Sequence, residues 1–418
     1  MNVPNMINHG NRGLQVEGVP LSDVAARFGT PCYVYSKAAL TQAYREFSEA
    51  FAGRDTLICY AVKANSNLAI LDLFANLGAG FDIVSEGELA RVIAAGGDPH
   101  KVVFSGVGKR ADEMRAALAH NILCFNVESQ PELMRLSRVA QEMGKRAAVS
   151  LRVNPDVDPK THPYIATGLK QNKFGVAFEE ALAIYRAARQ LPGIHVVGID
   201  CHIGSQITEI APFRDALEKV LQLVDQLEQE GIALHHLDLG GGIGIRYRDE
   251  QPIKIQDYAD TLRGLLGERR QQLIFEPGRS FVGNGGLLLT QVEYIKQGGD
   301  RRFAIMDAAM NDLIRPALYE AYHEIVAVNP PVHGESAQYD VVGPVCESGD
   351  FLGRDRALVI APGDLVAVLS TGAYGSVMSS NYNTRPRAAE VMIDGSAMHL
   401  IRSRERIEDL YATEQLLP

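Results

Sequence analysis

Leu57-Ile-Cys-Tyr-Ala-Val-Lys63 is an apolar run that stops on a lysine, and Ala64-Asn65 follow it. A short, continuous apolar run bounded by polar residues reads as a strand buried on both faces. Seven more runs follow, at Gly80–Val84, Val102–Ser105, Ile122–Asn126, Ala147–Val153, His195–His202, Leu234–Leu239 and Gln272–Glu276. Helical patterns precede or separate them, at Lys37–Ala52, Pro131–Gly144, Glu179–Gln190 and Pro212–Glu230. In the last, Phe213, Leu217, Val220, Leu221, Val224 and Leu227 recur at three- and four-residue steps, which puts them on one helix face. Eight such strands predict an α/β fold built on a closed eight-stranded parallel (TIM-like) barrel, with an open doubly wound sheet as the alternative.

Beyond about residue 281 the pattern changes. Gly285–Tyr294, Arg302–Asp307, Gln338–Val342, Asp364–Ser370 and Glu390–Ile393 read as strands separated by Gly, Pro and Asp turns, with little helix between them. The expected organisation is a barrel over 36–280 and a C-terminal mostly-β domain over 281–418, to which residues 1–35 add strands at Leu14–Val19 and Cys32–Tyr35. A chain of 418 residues with 46% hydrophobic content has enough material for both cores. Its net charge of −10 argues against a nucleic-acid surface and leaves any anionic substrate to locally placed arginines. Five irregularly spaced cysteines argue against a disulfide framework. With no signal-like or membrane-spanning run, the expected setting is the cytoplasm.

Barrels carry chemistry at the C-terminal ends of their strands. Four polar motifs fall there: Lys63 after the first strand, His202-Ile-Gly-Ser-Gln206 after the sixth, Gly240-Gly-Gly-Ile-Gly244 after the seventh and Glu276-Pro-Gly-Arg279 after the eighth. A lysine closing an apolar run is expected to be partly desolvated, which favours a nucleophilic amine; the alternative is a lysine snorkelling to water. The glycine run and Gly278 can bring amides to a phosphate or simply make tight turns, and Ser205 can add a hydroxyl or sit in a turn. Glu276 can hold a pyridine nitrogen protonated and Arg279 can grip a carboxylate, or the two can form a local salt bridge. His202 is an aromatic stacking partner or a satisfied core histidine. His235 and His236 lack a partner at metal-ligand spacing, so no metal is assigned. In the β region, Arg315-Pro-Ala-Leu-Tyr319, Gly343-Pro-Val-Cys-Glu-Ser-Gly-Asp350 and Thr371-Gly-Ala-Tyr-Gly375 stand out.

Taken in order, these motifs resemble the alanine-racemase-type (fold III) family of pyridoxal-phosphate enzymes, and within it the diaminopimelate decarboxylases, from about Pro31 to Tyr411. The resemblance implies that Lys63 forms the imine with the aldehyde of pyridoxal 5′-phosphate, that His202 stacks on its ring and that Glu276 faces the ring nitrogen. It implies a phosphate grip from Ser205, Gly240, Gly241, Gly242, the Pro277-Gly278 turn and Tyr374. Arg279, Arg315, Tyr319, Glu347 and Tyr374 would hold the substrate. Cys346, from the partner subunit of a homodimer, would protonate the carbanion. Asp82 and Arg152 match family positions near the cofactor. The implied reaction is decarboxylation of meso-2,6-diaminopimelate to L-lysine.

The rival within this fold is a decarboxylase of ornithine, arginine or carboxynorspermidine. Two arginines at the far end of the substrate suit the distal carboxylate of diaminopimelate and would repel a lone amine. A racemase would be shorter and lack the Cys346–Asp350 turn. A regulatory cofactor-binding protein would be expected to have lost Lys63 or Cys346.

Overall fold

A computed structural model describes residues 7–158, 173–329 and 335–418. The chain divides into two compact units, one of residues 44–245 and 251–280, the other of residues 1–43, 246–250 and 281–418.

The first unit is the barrel. Its strands are β1 (Thr56–Ala61), β2 (Gly80–Ile83), β3 (Val102–Phe104), β4 (Cys124–Val127), β5 (Ala147–Asn154), β6 (Ile194–Asp200), β7 (His236–Asp238) and β8 (Gln272–Phe275). Each pairs in parallel with its neighbours, and the β8–β1 and β4–β5 pairings close the ring. The open-sheet alternative is thereby excluded. The barrel is packed, not hollow. Cys59, Val103, Cys124 and Ile274 meet inside it, with Leu57, Leu123, Ala148 and Val197 against them. Helices begin close behind the strands because the loops supply caps. Asn67 Oδ1 accepts from Ala69 N–H, Ser85 Oγ from Glu88 N–H and Ser129 Oγ from Glu132 N–H. Each such cap is worth about 1 kcal/mol. They hold the mouth loops after β1, β2 and β4 short.

The second unit is built on a mostly antiparallel sheet. Its long strand Gly286–Gly298 pairs with Cys32–Ser36, Arg301–Met306 and Leu365–Val368. Cys32–Ser36 also lies parallel to Ala389–Asp394. The N-terminal segment therefore does add a strand, while Gly13–Val16 joins a separate three-stranded sheet. The core includes Val16, Leu21, Val34, Leu287, Leu289, Ala367 and Val391.

The division differs from the sequence boundaries in two places. Residues 37–43 group with the β unit through contacts such as Ala38 N–H to Glu17 Oε1. Residues 246–250 do so because Arg246 O accepts from Asn284 Nδ2 and Tyr247 packs edge-on against His323. Among the described residues, no helix is long and apolar enough to cross a membrane.

Candidate active site

Every strand brings a polar residue at or near the C-terminal rim of the barrel: Lys63, Asp82, Ser105, Asn126, Arg152, Asp200, Asp238 and Glu276, in strand order. All but Lys63 are buried. Lys63 Nζ lies 2.5 Å from Asp82 Oδ2, with the lysine side chain 36% exposed and the aspartate fully enclosed. The lysine side chain is thus partly, not wholly, withdrawn from solvent. It leaves the run, reaches the mouth and is met by a carboxylate.

The acidic side of the ring is crowded. Asp200, Asp238 and Glu276 bring carboxylate oxygens within 4.8 Å of one another. Asn126 Nδ2 donates to Glu276 Oε1 at 3.2 Å and to Asp238 Oδ2 at 3.3 Å, and Ser105 Oγ donates to Glu276 Oε1 at 3.3 Å. Burial, reinforced by Asp238, Asp82 and Asp200, pushes the Glu276 carboxyl well above its ordinary range. Burial likewise raises Asp200 well above its usual value and Asp238 to about 6. Arg152 answers part of this charge, 3.2 Å from Glu128 and 3.8 Å from Asp200.

His202 is pushed well below the usual histidine range by burial, then by the charges of Arg152 and Lys63. Its imidazole is therefore neutral at physiological pH. Nδ1 accepts from Gly241 N–H at 3.1 Å, which assigns the remaining ring proton to Nε2. Gly240 N–H donates to Asp238 Oδ1 at 2.9 Å. The first two amides of the glycine run are thus engaged by side chains of the site. Glycine is required here. A Cβ on Gly241 would lie 2.1 Å from Glu276 O, and Gly242 adopts φ 109°. Gly278 lies close to Ala61 and Ala64, beside the lysine turn. Pro277 O accepts from Ala61 N–H, tying the end of β1 to the turn after β8. Arg279 is buried and donates to Ser205 Oγ from Nε and Nη2 at 3.2 and 3.0 Å.

The β unit carries the remaining candidates. Arg315 is buried, its guanidinium carbon 5.2 Å from the ring of Tyr247 and 5.9 Å from that of Tyr319. Its Nε donates to His323 Nε2 at 3.3 Å, and His323 Nδ1 lies 2.9 Å from Leu369 O. Tyr374 sits at φ 56°, a strained conformation for a bulky residue, between glycines whose Cβ positions are blocked. Cys346 and Glu347 are exposed. Their turn is pinned by Asp350, which accepts from Met310 N–H and Val345 N–H, and by Asn383 Oδ1, which accepts from Cys346 N–H.

Sequence reasoning missed Ser105, Asn126, Asp200 and Asp238. The available signal was a single polar residue at or near the end of an apolar strand, as in Cys124-Phe-Asn-Val127 and His236-Leu-Asp238.

A barrel whose first strand runs into a lysine just beyond its end and whose last is followed at once by a buried carboxylate defines a class. Residues 37–283 match the family described as "Pyridoxal-dependent decarboxylase, pyridoxal binding domain". The chain is 61% identical over 405 residues to the diaminopimelate decarboxylase of Pseudomonas aeruginosa, covering 97% of each. Its structure resembles that of diaminopimelate decarboxylase from Helicobacter pylori complexed with L-lysine, at TM-score 0.91 and 46% identity, covering 94% of this chain and 99% of that one. It also resembles the enzyme from M. jannaschii in co-complex with L-lysine, at TM-score 0.94 and 39% identity, covering 100% and 99%. The chain belongs to the diaminopimelate decarboxylase family.

The residues present fit pyridoxal phosphate. Asp82 Oδ1 and both carboxylate oxygens of Asp200 are buried without a hydrogen-bond partner among the described residues. A floor so rich in carboxylates calls for a cationic donor, and a protonated aromatic nitrogen supplies one. A reachable amine, a neutral imidazole and a hydroxyl paired with a guanidinium complete the donor set.

Proposed function

We propose that this chain releases CO2 from the D-configured centre of meso-2,6-diaminopimelate, giving L-lysine, with pyridoxal 5′-phosphate as cofactor. The observation that carries the reading is the barrel rim, where Lys63, neutral His202 and buried Glu276 converge. The bound cofactor supplies an electron sink for the charge left when CO2 departs.

The chain's own residues do the rest. Lys63 is the amine that attaches the cofactor. Glu276 faces its ring nitrogen, and His202, held edge-on by Gly241, offers a flat uncharged face. Ser205, Gly242, Gly278 and Tyr374 grip the phosphate, with Gly240, Gly241 and Pro277 shaping the turns. Arg279, Arg315, Tyr319 and Tyr374 hold the distal carboxylate, and Glu347 holds the distal ammonium. That grip fixes which carboxylate stands ready to leave. Cys346 donates the proton that replaces CO2. An exposed thiol on a pinned turn can serve a second copy of the chain, so the working form is a homodimer with shared sites. All five cysteines are free thiols, which suits the cytoplasm.

The test is CO2 release by the cofactor-loaded protein from meso-diaminopimelate, ornithine, arginine and carboxynorspermidine in parallel. Release from diaminopimelate with lysine as product is expected. Release only from one of the others would overturn the roles of Arg315 and Glu347.

A further inference from the structure

Asp238 ends β7 fully buried, and no step above uses it. Its neighbours make it unusual. Asn126 Nδ2 donates to Asp238 Oδ2 and to Glu276 Oε1, so one amide bridges two carboxyl groups. Gly240 N–H donates to Asp238 Oδ1. Carboxylate oxygens of the two groups lie within 4.8 Å of one another. Two buried carboxyl groups this close, with one amide donating to both, repel each other strongly when both are ionised, which favours keeping a proton on the pair.

We propose that Asp238 is a positioning residue for Glu276: the two carboxyl groups, bridged by Asn126, hold one proton between them, and Glu276 presents that proton to the ring nitrogen of the cofactor. This rests on the reading that Glu276 faces that nitrogen. Were the proton passed to a bound cofactor, the O–H bond of the pair would break as an N–H bond formed. The electron pair would stay on the carboxylate oxygens, where the Asn126 amide donates to both.

The surroundings favour a held proton. Asp82 and Asp200 face the pair with negative charge, Lys63 and Arg152 with positive charge, and the Cys59 and Cys124 thiols lie below it, both pushed well up by burial. Arg152 is shared with Glu128, and Lys63 with Asp82. No cation is interposed between Asp238 and Glu276 among the described residues. Burial moves both carboxyl groups upward, Asp238 to about 6. The same arrangement explains why an asparagine occupies the fourth strand. A leucine there would leave both carboxylates without the shared donor.

Infrared difference spectra of the cofactor-free protein test the shared proton directly. Wild type is expected to show a deuterium-sensitive carboxylic-acid band at neutral pH that Asp238→Asn and Glu276→Gln each remove or displace. Asn126→Ala, which withdraws the donor that steadies the ionised pair, is expected to carry the band to higher pH. In the cofactor-loaded protein, Asp238→Asn takes away negative charge and is expected to move the pH midpoint of the visible absorbance downward by about one unit. Absence of the band in wild type, or a midpoint unmoved by both Asp238→Asn and Asn126→Ala, overturns the proposal. If Glu276→Gln leaves cofactor affinity and absorbance unchanged, the reading of Glu276 itself fails. If Glu276→Gln changes them and Asp238→Asn changes nothing, only the pairing fails.

Discussion

Lys63 meets Asp82 at 2.5 Å, so the amine that would attach the cofactor is held by a carboxylate on the next strand. Removing the amine is expected to remove the attachment and to leave the fold intact, because its side chain is 36% exposed. Lys63→Ala should therefore lose the visible absorbance of the loaded protein and lower kcat by on the order of 10³-fold or more. Absorbance spectra of matched, dialysed samples check this, and a persisting band would remove Lys63 from its role. Arg315 is a different kind of residue, because its contacts fix its direction. Nε is tied to His323, and two aromatic rings lie within 6 Å of the guanidinium carbon. A planar cation so restrained suits a carboxylate better than a mobile lysine would. Arg315→Ala should weaken kcat/KM for diaminopimelate by roughly 2–4 kcal/mol, since a charged partner is left unpaired. An unchanged kcat/KM would place Arg315 outside the site.

At the scale of elements, β7 shows how the barrel interior uses polar residues. His236 is buried, and Gly198 on β6 makes room for it, since a Cβ there would lie 2.1 Å from His236 Nε2. Burial, with a smaller push from His235, lowers His236 to about 4. The unfolded chain binds this proton below about 6.5, whereas the folded chain does not until about 4. Stability from this group is therefore lost as pH falls through that window. Between pH 7 and 4, wild type should lose roughly 3 kcal/mol relative to His236→Gln. Urea titrations of both proteins at each pH measure the difference, from which the raised carboxyls of Asp200, Asp238 and Glu276 largely cancel. A difference independent of pH would mean that His236 is not buried neutral. The eight strands were legible because each is a continuous apolar run, and the motif residues were legible because they end those runs. Asn126 and Asp238 were not, because one polar residue in a strand looks like an ordinary end until the ring brings eight of them together. The pairing of Lys63 with Asp82 was likewise hidden, since β1 and β2 must close side by side before the two residues can meet. Strands such as Phe351–Leu358 in the β unit escaped for a plainer reason. Arg354, Asp355 and Arg356 break its apolar pattern, and its pairing with Ala337–Val342 sustains it instead.

At the scale of the whole molecule, the placement of Cys346 matters most. A thiol proposed to protonate carbon with water excluded would be poorly served by an exposed surface. Cys346 and Glu347 are nevertheless exposed on this chain, although their turn is held firmly by Asp350 and Asn383. A rigid but uncovered turn makes sense if a second copy covers it, and if the site it serves belongs to that copy. Subunit mixing tests this without any assumption about rates. In a heterodimer of Lys63→Ala and Cys346→Ala chains, one site receives both defects and the other receives neither. Half of randomly paired dimers are heterodimers, so an equimolar mixture should recover about a quarter of wild-type activity. Each variant alone should stay near background. Sites built within one chain would give every site one defect, and mixing would then recover nothing even where heterodimers are confirmed by tag pull-down. The size of the recovery also separates a catalytic thiol from a structural one. If Cys346→Ala acted only by weakening assembly, activity would depend on protein concentration and return towards wild type when the variant is concentrated. A defect in proton donation persists at every concentration and is relieved only by a partner that brings its own thiol.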